Sequence, residues 1–273
     1  MGVYDSTEDF EYVCIDPSCD IQQQVIGFED CLLLDKITDW IDSAPTVIES
    51  VRKLNNPQVC SVDSQLACND EGAGTDRWDL QQAFITAGVD VPVMNLIESD
   101  QQDIPSLQYP QILKTRLACG TVASHHMAVV STMEELQTFR QDHAEDAVCA
   151  QDFVPHGGII YKVFAIGSEE VRVDIRPSLG DDAIGKKFDS QNMKEVVVKE
   201  TPSTDSANIN MEKVKDIAGR VDKKLGLGLF GLDIIIGSND RKYYVVDVNY
   251  YPTFKGVNGL SELMRDLLLK KMN

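Results

Sequence analysis

The sequence predicts an α/β chain that continues as α+β with antiparallel hairpins. Two observations favour this class. Short apolar runs of strand length alternate with helical patterns through the first half of the chain. In the second half, two pairs of apolar strands are each joined by a short polar turn, GSEE in 159–179 and SND in 228–249, which is typical of hairpins. With 273 residues, the chain is long enough to form two or three small lobes or one large unit.

The elements of the first half follow from apolar runs and from the turn and capping residues between them. The turn cluster NNPQ at 55–58 is a plausible boundary, Thr75 or Asp76 suits a helix N-cap, and Gly88 ends that helix. The predicted elements are strands at 11–16 and 31–37, a helix at 38–54, a short strand at 59–63, a helix at 76–87, strands at 91–97 and 109–117, a helix at 132–142 and a strand at 147–154.

The second half alternates hairpins with helices. Residues 180–210 are polar without clean periodicity and predict a long surface loop containing one short strand, EVVVKE. The remaining predicted elements are strands at 159–167 and 171–179, an amphipathic helix at 211–225, strands at 228–237 and 241–249, and a helix from 261 onward.

Charge and cysteine content limit the classes of partner. The net charge of −19 opposes binding to nucleic acids and to anionic membranes, so an anionic substrate would need a local basic pocket. The seven cysteines are odd in number and form no C-x-x-C pair, which argues against a disulfide framework and favours a reducing compartment. Without a targeting or membrane-spanning run, we expect a cytoplasmic monomer.

Acidic side chains occur in two otherwise apolar strands near the C-terminus. Asp233 lies in GLDIII, and Asp247 and Asn249 lie two residues apart in VVDVN, so they share one face of their strand. Such carboxylates are compatible with turn caps at the ends of strands. If the two strands pair, however, the three side chains offer hard oxygen ligands of the kind that Mg²⁺ prefers, which is the reading we favour.

Basic residues also interrupt apolar strands. Lys114 precedes the flexible stretch ACGTVASHHM, Lys162 follows the PHGG turn, and Arg176 lies near the end of the next strand. Such cations suit phosphate binding, although lysine is also common on exposed edge strands. His125 and His126 lack further ligands at zinc spacing, and their spacing alone fits surface histidines. No Walker A loop or H-R-D catalytic loop is present.

Several motifs together carry a family resemblance, which is strong over 109–257 and weaker over 28–108. They are KTRLACGTVASHHMAVV, QDFVPHGGIIYKVFAIG, RPSL, FDSQN, GLFGLDIII and VVDVNYYPTFKGV. In this order and context they resemble the inositol 1,3,4-trisphosphate 5/6-kinases of the ATP-grasp superfamily. Within the weaker region, LLLDKITD resembles the family's substrate-side lysine motif, and Asp76-Arg77 resembles its nucleotide-side Asp-Arg pair.

The resemblance implies an ATP-grasp fold in which two lobes clasp ATP, and transfer of phosphate to a hydroxyl of an inositol tris- or tetrakisphosphate. The implied domains are a shortened N-terminal substrate-side α/β lobe at 1–54, a central lobe at 55–154 and a C-terminal lobe with the metal-binding strands at 155–273. The implied co-substrate is ATP, with two Mg²⁺ ions. The implied site residues are Asp233, Asp247 and Asn249 for the metal; Arg77, Lys114, Gln151, Val154, Ser178 and Ser190 for ATP; Lys36, His125, Lys162 and Lys255 for the inositol phosphate; and His125 and Lys162 as catalytic side chains.

The chain also departs from the family pattern. The family usually begins with a further strand and helix that carry a substrate-facing lysine, and we expect this sequence to start after them, since MGVYDSTEDF contains no lysine. Thr253 stands where the family has a turn glycine. These departures bear on substrate affinity more than on ATP binding. Two alternatives stand beside the kinase: another ATP-grasp enzyme, namely a carboxylate–amine ligase, and a nucleotide- or inositol-phosphate-binding protein without turnover.

Overall fold

The computed structural model describes most of the chain from residue 76 onward and short pieces before it. The described residues are 16, 19, 21–24, 32–33, 60–61, 76–118, 122–167, 170–199, 209–250, 252, 254 and 257–272. The strand predicted at 11–16 and the helix predicted at 38–54 therefore lie almost entirely outside the described residues. Of the other early elements, a short parallel pair is seen, β1 (Leu32–Leu33) with β2 (Cys60–Ser61).

From residue 76 onward, the predicted helices and hairpin strands are present with small shifts at their ends. The helices of the described residues are α1 (Ile21–Gln24), which was not predicted, and the four predicted ones, α2 (Arg77–Thr86), α3 (Met133–Asp142), α4 (Met211–Leu225) and α5 (Leu260–Met272). The further strands are β3 (Met94–Ile97), β4 (Gln111–Thr115), β5 (His126–Val130), β6 (Val148–Asp152), β7 (Ile159–Ile166), β8 (Glu170–Pro177), β9 (Lys187–Asp189), β10 (Leu229–Ile236) and β11 (Tyr243–Tyr250).

One antiparallel sheet of five strands has the order β3-β6-β4-β5-β9. Helix α3 packs against it, because Leu136 and Phe139 on the apolar face of the helix join Leu113 and Ala150 of the sheet in one buried cluster. Burying such a face is what stabilises an amphipathic helix on a sheet. The opposite side of the sheet is left to contact other parts of the chain.

A second antiparallel sheet has the order β11-β10-β7-β8, which confirms both predicted hairpins. Helix α4 covers one of its faces, where Val214 and Val221 of the helix pack with Leu232 and Ile234 of β10. Because side chains alternate along a strand, the residues between these apolar positions point to the other face. That other face carries the charged residues.

The predicted strand EVVVKE is wrong. Within 195–199 the structure has turns and one isolated bridge, between Val197 and Leu179, while Val196 is buried in a small cluster. The strand of this region is β9, which the sequence analysis did not predict. It forms because the free edge of β5 offers hydrogen-bonding partners to residues 187–189, a pairing that local propensity does not show.

The polypeptide crosses between the two sheets more than once. Strand β9 lies beyond residue 155 yet completes the sheet formed by β3 to β6. The domain limits at 54 and 154 stay a prediction. Within the described residues, no helix combines the length and apolar composition needed to cross a bilayer.

Candidate active site

Four charged residues form a row across the four-stranded sheet. The strand registers place Asp247 opposite Asp233, Asp233 opposite Lys162, and Lys162 opposite Asp174. Directly opposed residues of antiparallel strands share a face and have their Cβ atoms about 4.5–5.5 Å apart. The row therefore joins two of the predicted metal ligands to a predicted substrate-binding lysine.

A β-bulge lies next to this row. The pairing of β10 with β11 shifts between Asp233 and Ile234, so that Val246 has no partner opposite it. Val245 and Val248 consequently both point into the core beneath α4, although they are three residues apart. Asn249 lies opposite Gly231 and is exposed.

Lys162 and Asp233 form an ion pair with two contacts. The Nζ of Lys162 donates to Oδ1 and Oδ2 of Asp233 at 3.0 and 2.8 Å. Burial raises the pKa of Asp233 and the neighbouring Asp247 carboxylate raises it further, while the Lys162 ammonium opposes both effects. The buried carboxylate thus depends on a cation beside it.

The chemistry of this donor set fits Mg²⁺. Asp233 and Asp247 supply two adjacent carboxylates, and Asn249 supplies an amide oxygen two residues beyond Asp247 on the same strand. Within the part of the chain that the structure describes, no side chain donates a hydrogen bond to the Asp247 carboxylate. Among the described residues, no group of three or more His, Cys, Asp or Glu side chains is arranged so that it could hold a metal ion.

Lys114 approaches the same region from the five-stranded sheet. Its side chain is 7% exposed, and its Nζ donates to Gln151 Oε1 at 3.0 Å and to the carbonyl of the bulged Val246 at 3.5 Å. Burial lowers the pKa of Lys114, and the Asp247 carboxylate acts in the opposite direction. The bulge of β11 therefore provides a contact between the two sheets.

A small, partly open cavity lies where α2, the five-stranded sheet and β11 meet. It combines apolar walls with a few convergent polar groups, as small-molecule sites do. The lining residues are Arg77, Leu80, Gln81, Phe84, Met94, Lys114, Gln151, Val245, Val246, Asp247 and Val248. Three residues predicted to bind ATP, Arg77, Lys114 and Gln151, and one predicted metal ligand, Asp247, are thus brought together.

The guanidinium of Arg77 holds the chain that follows β4. It donates to the carbonyls of Thr115 at 2.7 Å, Leu117 at 2.9 Å and Ser124 at 3.1 Å. Arg77 begins α2, whose N-cap Asp76 accepts from two backbone N–H groups of the first helical turn. The predicted Asp-Arg pair therefore fixes both the helix and the glycine-containing loop beside the cavity.

His125 contacts a different segment. Its ring Nδ1 lies 3.5 Å from Ser190 Oγ, and its Nε2 lies 3.0 Å from Nε2 of Gln191. The Ser190 N–H donates to the carbonyl of His125 at 2.8 Å. Ser190 and His125 thus belong together, and neither lines the cavity.

His156 joins two further residues that were predicted to contact ATP. Its Nδ1 donates to the carbonyl of Val154 at 2.7 Å, because a carbonyl only accepts, and its Nε2 then accepts from Ser178 Oγ at 3.0 Å. Burial lowers the pKa of His156, which favours the neutral ring that this pattern needs. Val154 and Ser178 are adjacent through His156, and neither lines the cavity.

Two predicted substrate residues, Lys36 and Lys255, and the replaced glycine position Thr253 lie outside the described residues. The sequence analysis missed Gln81 and Asp174. A glutamine one helical turn after Arg77 lies on the same side of α2, and this spacing was the available signal for Gln81. Asp174 is two residues before Arg176, to which it is paired at 2.5 Å.

The family model described as the inositol 1,3,4-trisphosphate 5/6-kinase ATP-grasp domain matches residues 86–270, which is more than half of the chain. An inositol-tetrakisphosphate 1-kinase of Xenopus laevis is 30% identical over 201 residues, covering 65% of this chain and 47% of that protein. Inositol-tetrakisphosphate 1-kinase 1 of Oryza sativa subsp. indica is 28% identical over 265 residues, covering 87% of this chain and 71% of that protein. The chain thus spans about half the length of the first of these relatives.

Solved structures show the same fold at low sequence identity. The VanG D-Ala:D-Ser ligase of Enterococcus faecalis is 15% identical, has a TM-score of 0.58, and is matched over 86% of this chain and 70% of its own. A RimK domain ATP-grasp protein of Sphaerobacter thermophilus is 16% identical, has a TM-score of 0.53, and is matched over 81% of this chain and 76% of its own. These likenesses confirm the predicted ATP-grasp fold.

Proposed function

The chain belongs to the inositol 1,3,4-trisphosphate 5/6-kinase family of ATP-grasp proteins, and from that premise we propose that it transfers the γ-phosphoryl group of ATP to a hydroxyl of an inositol tris- or tetrakisphosphate. The observation that carries this proposal is the row Asp247–Asp233–Lys162 on one sheet, with Lys114 facing it from the other. Lys162 and Lys114 are the cations that this site offers to an anionic substrate in a chain of net charge −19, and Mg²⁺ bound to Asp233 and Asp247 would offset the two carboxylates.

The side chains of this row suit phosphoryl transfer. The reaction needs in-line positioning and neutralisation of the phosphate oxygens more than it needs a covalent intermediate on the protein. Lys114, buried between the sheets, would hold a phosphate of ATP, and Lys162 would hold a phosphate of the acceptor. When bound to Asp233, Asp247 and Asn249, Mg²⁺ would supply further neutralisation of the phosphate charge.

Other residues are proposed for binding. The backbone around Gln151 and Val154 would read adenine, and Arg77 would help to place the phosphates while it holds the loop after β4. Ser178 and Ser190 would lie near the nucleotide, and His125 would contact the inositol phosphate together with Lys162. The use of two Mg²⁺ ions, the monomeric state and the cytoplasmic location stay predictions from the sequence.

A carboxylate–amine ligase has less support. The ligases among the structural neighbours, such as the VanG D-Ala:D-Ser ligase, are similar in fold at about 15% identity. The family model and the relatives at about 30% identity all carry kinase names. Fold alone does not determine the chemistry at a site.

The test is ADP release with ATP and Mg²⁺ against inositol tris- and tetrakisphosphates. Inositol hexakisphosphate, which has no free hydroxyl, serves as the acceptor control. We expect turnover on at least one acceptor, and a loss of at least about a hundredfold in Asp247→Asn. The matched control is Asp216→Asn, at an exposed position on α4 that pairs with Arg220.

Two results would overturn the kinase proposal. Nucleotide-induced thermal stabilisation without ADP release on any acceptor would indicate a binding protein without turnover. ADP release that requires a carboxylate and an amine would indicate a ligase.

A further inference from the structure

Three buried polar side chains form a continuous chain of hydrogen bonds that ends at Lys114. Lys114 Nζ donates to Gln151 Oε1 at 3.0 Å, Gln151 Nε2 donates to Gln81 Oε1 at 3.2 Å, and Gln81 Nε2 donates to the carbonyl of Pro92 at 3.0 Å. Gln81 is 4% exposed and Gln151 is 3% exposed. This series of hydrogen bonds thus links α2, β6 and β4 in a region that is shielded from water.

The group at each end of this series of hydrogen bonds allows only one orientation of the amide next to it. An ammonium group only donates, so the oxygen of Gln151 must face Lys114. The carbonyl of Pro92 only accepts, so the nitrogen of Gln81 must face Pro92. Between them, the nitrogen of Gln151 meets the oxygen of Gln81, and all three bonds agree in direction.

Gln81 is the member that fixes the orientation of Gln151. Without an acceptor at position 81, the buried NH₂ group of Gln151 would be left without its partner, which is costly. The amide of Gln151 would then turn to find other partners, and its oxygen would no longer be held towards Lys114. Lys114 would be left with the more distant carbonyl of Val246, at 3.5 Å.

We propose that Gln81 is a positioning residue, which acts through Gln151 to hold the ammonium of Lys114 where it meets the phosphates of ATP. The inference rests on the proposed function, because it needs a nucleotide in this cavity. Gln81 also lies one helical turn from Arg77, so that α2 positions both the lysine and the loop after β4.

The test compares Gln81→Met with Gln82→Met, the same substitution at the exposed neighbouring position. We expect Gln81→Met to weaken equilibrium binding of Mg·ATP by about tenfold and Gln82→Met to leave it unchanged. Gln81→Glu keeps an acceptor for Gln151 but loses the donor to Pro92. It should therefore retain ATP affinity within about threefold of the parent while unfolding more easily, which a merely structural role does not predict.

A second readout needs no nucleotide. Acylation of Lys114 by a lysine-selective reagent, followed by mass spectrometry, reports how firmly the ammonium is held. We expect faster modification in Gln81→Met than in the parent or in Gln82→Met. Unchanged Lys114 reactivity in Gln81→Met would overturn the inference, as would ATP affinity within about twofold of a parent that binds ATP. A parent that binds no ATP would instead overturn the proposed function, and the acylation rates would still decide whether Gln81 holds Lys114.

Discussion

Lys162 and Asp233 face each other across β7 and β10, and the ammonium of Lys162 contacts both oxygens of the Asp233 carboxylate, at 3.0 and 2.8 Å. One carboxylate is therefore the partner of the proposed substrate lysine and a proposed ligand of Mg²⁺. Two cations cannot occupy the same side of this carboxylate, so a bound metal and Lys162 compete for it. Occupation of Asp233 by metal would free Lys162 to meet a phosphate of the acceptor.

Lys162→Met should reveal this competition in the free energy of unfolding. Without metal, we expect a loss of about 1–2 kcal/mol, because a buried carboxylate loses a partner that is itself partly exposed. Added Mg²⁺ should stabilise Lys162→Met more than it stabilises the parent, since no ammonium then competes for Asp233. Urea denaturation with and without MgCl₂ measures both effects.

The control for this prediction is Lys187→Met, which removes one positive charge from an exposed pair with Asp142. It should respond to Mg²⁺ as the parent does. Equal stabilisation of all three proteins by Mg²⁺ would show that Lys162 does not compete with the metal.

Arg77→Lys should weaken ATP binding because the loop after β4 loses hydrogen bonds that hold it in place. A lysine cannot span the three carbonyls that the Arg77 guanidinium contacts, and hydrogen bonds from charged groups are worth about 1.5–3 kcal/mol each. We expect Mg·ATP affinity to fall on the order of tenfold, and hydrogen exchange in residues 115–118 to become faster.

Arg140→Lys is the matched control for Arg77→Lys. The Arg140 guanidinium also donates to three loop carbonyls, those of Glu98, Ser99 and Gln101, but at the far end of α3. We expect both variants to lose similar stability and only Arg77→Lys to lose nucleotide affinity. Equal ATP affinity in the two variants would contradict a role for Arg77 at the site.

The sequence allowed the local part of this arrangement to be predicted. Short polar turns join β7 to β8 and β10 to β11, so the two hairpins follow from alternation and turn length. The register that sets Asp233 opposite Asp247 does not, because it depends on the bulge at Val246. The contact of Lys114 with Val246 could not be predicted, because it joins residues 132 positions apart and depends on a bulge. The bonds of Gln81 were missed for the same reason, since their partners lie on other elements of the fold.

Alanine substitutions at Gly157 and Gly158 can be compared to separate the energetic cost of a positive φ from that of a steric clash. Both have positive φ, at 65° and 69°, where an L-residue costs about 1–2 kcal/mol. A Cβ at Gly157 meets nothing within 4 Å, whereas a Cβ at Gly158 would lie 2.3 Å from Val198 Cγ1. We therefore expect Gly158→Ala to lose about 1–3 kcal/mol more stability than Gly157→Ala in urea denaturation.

A double variant checks the cause of that difference. Val198→Ala removes both Cγ atoms that a Cβ at Gly158 would approach, so it should recover most of the extra loss in Gly158→Ala. Additive losses in the double variant would place the cost in the backbone rather than in the contact with Val198.

His156 should make stability fall in mildly acidic solution. Burial lowers its pKa below the ordinary value of 6.5, while the nearby Asp181 carboxylate and the contact with the Val154 carbonyl act in the opposite direction. A histidine with a depressed pKa binds fewer protons in the folded state than in the unfolded state. Its contribution to the free energy of unfolding is therefore complete above about pH 6.5 and is lost as the pH falls below that value, at no more than about 1.4 kcal/mol per pH unit.

Unfolding free energies measured at pH 7.5 and 5.5 should show a larger loss in the parent than in His156→Gln, and exposed His126→Gln should behave as the parent does. A loss of equal size in the parent and in His156→Gln would show that His156 does not cause the acid sensitivity.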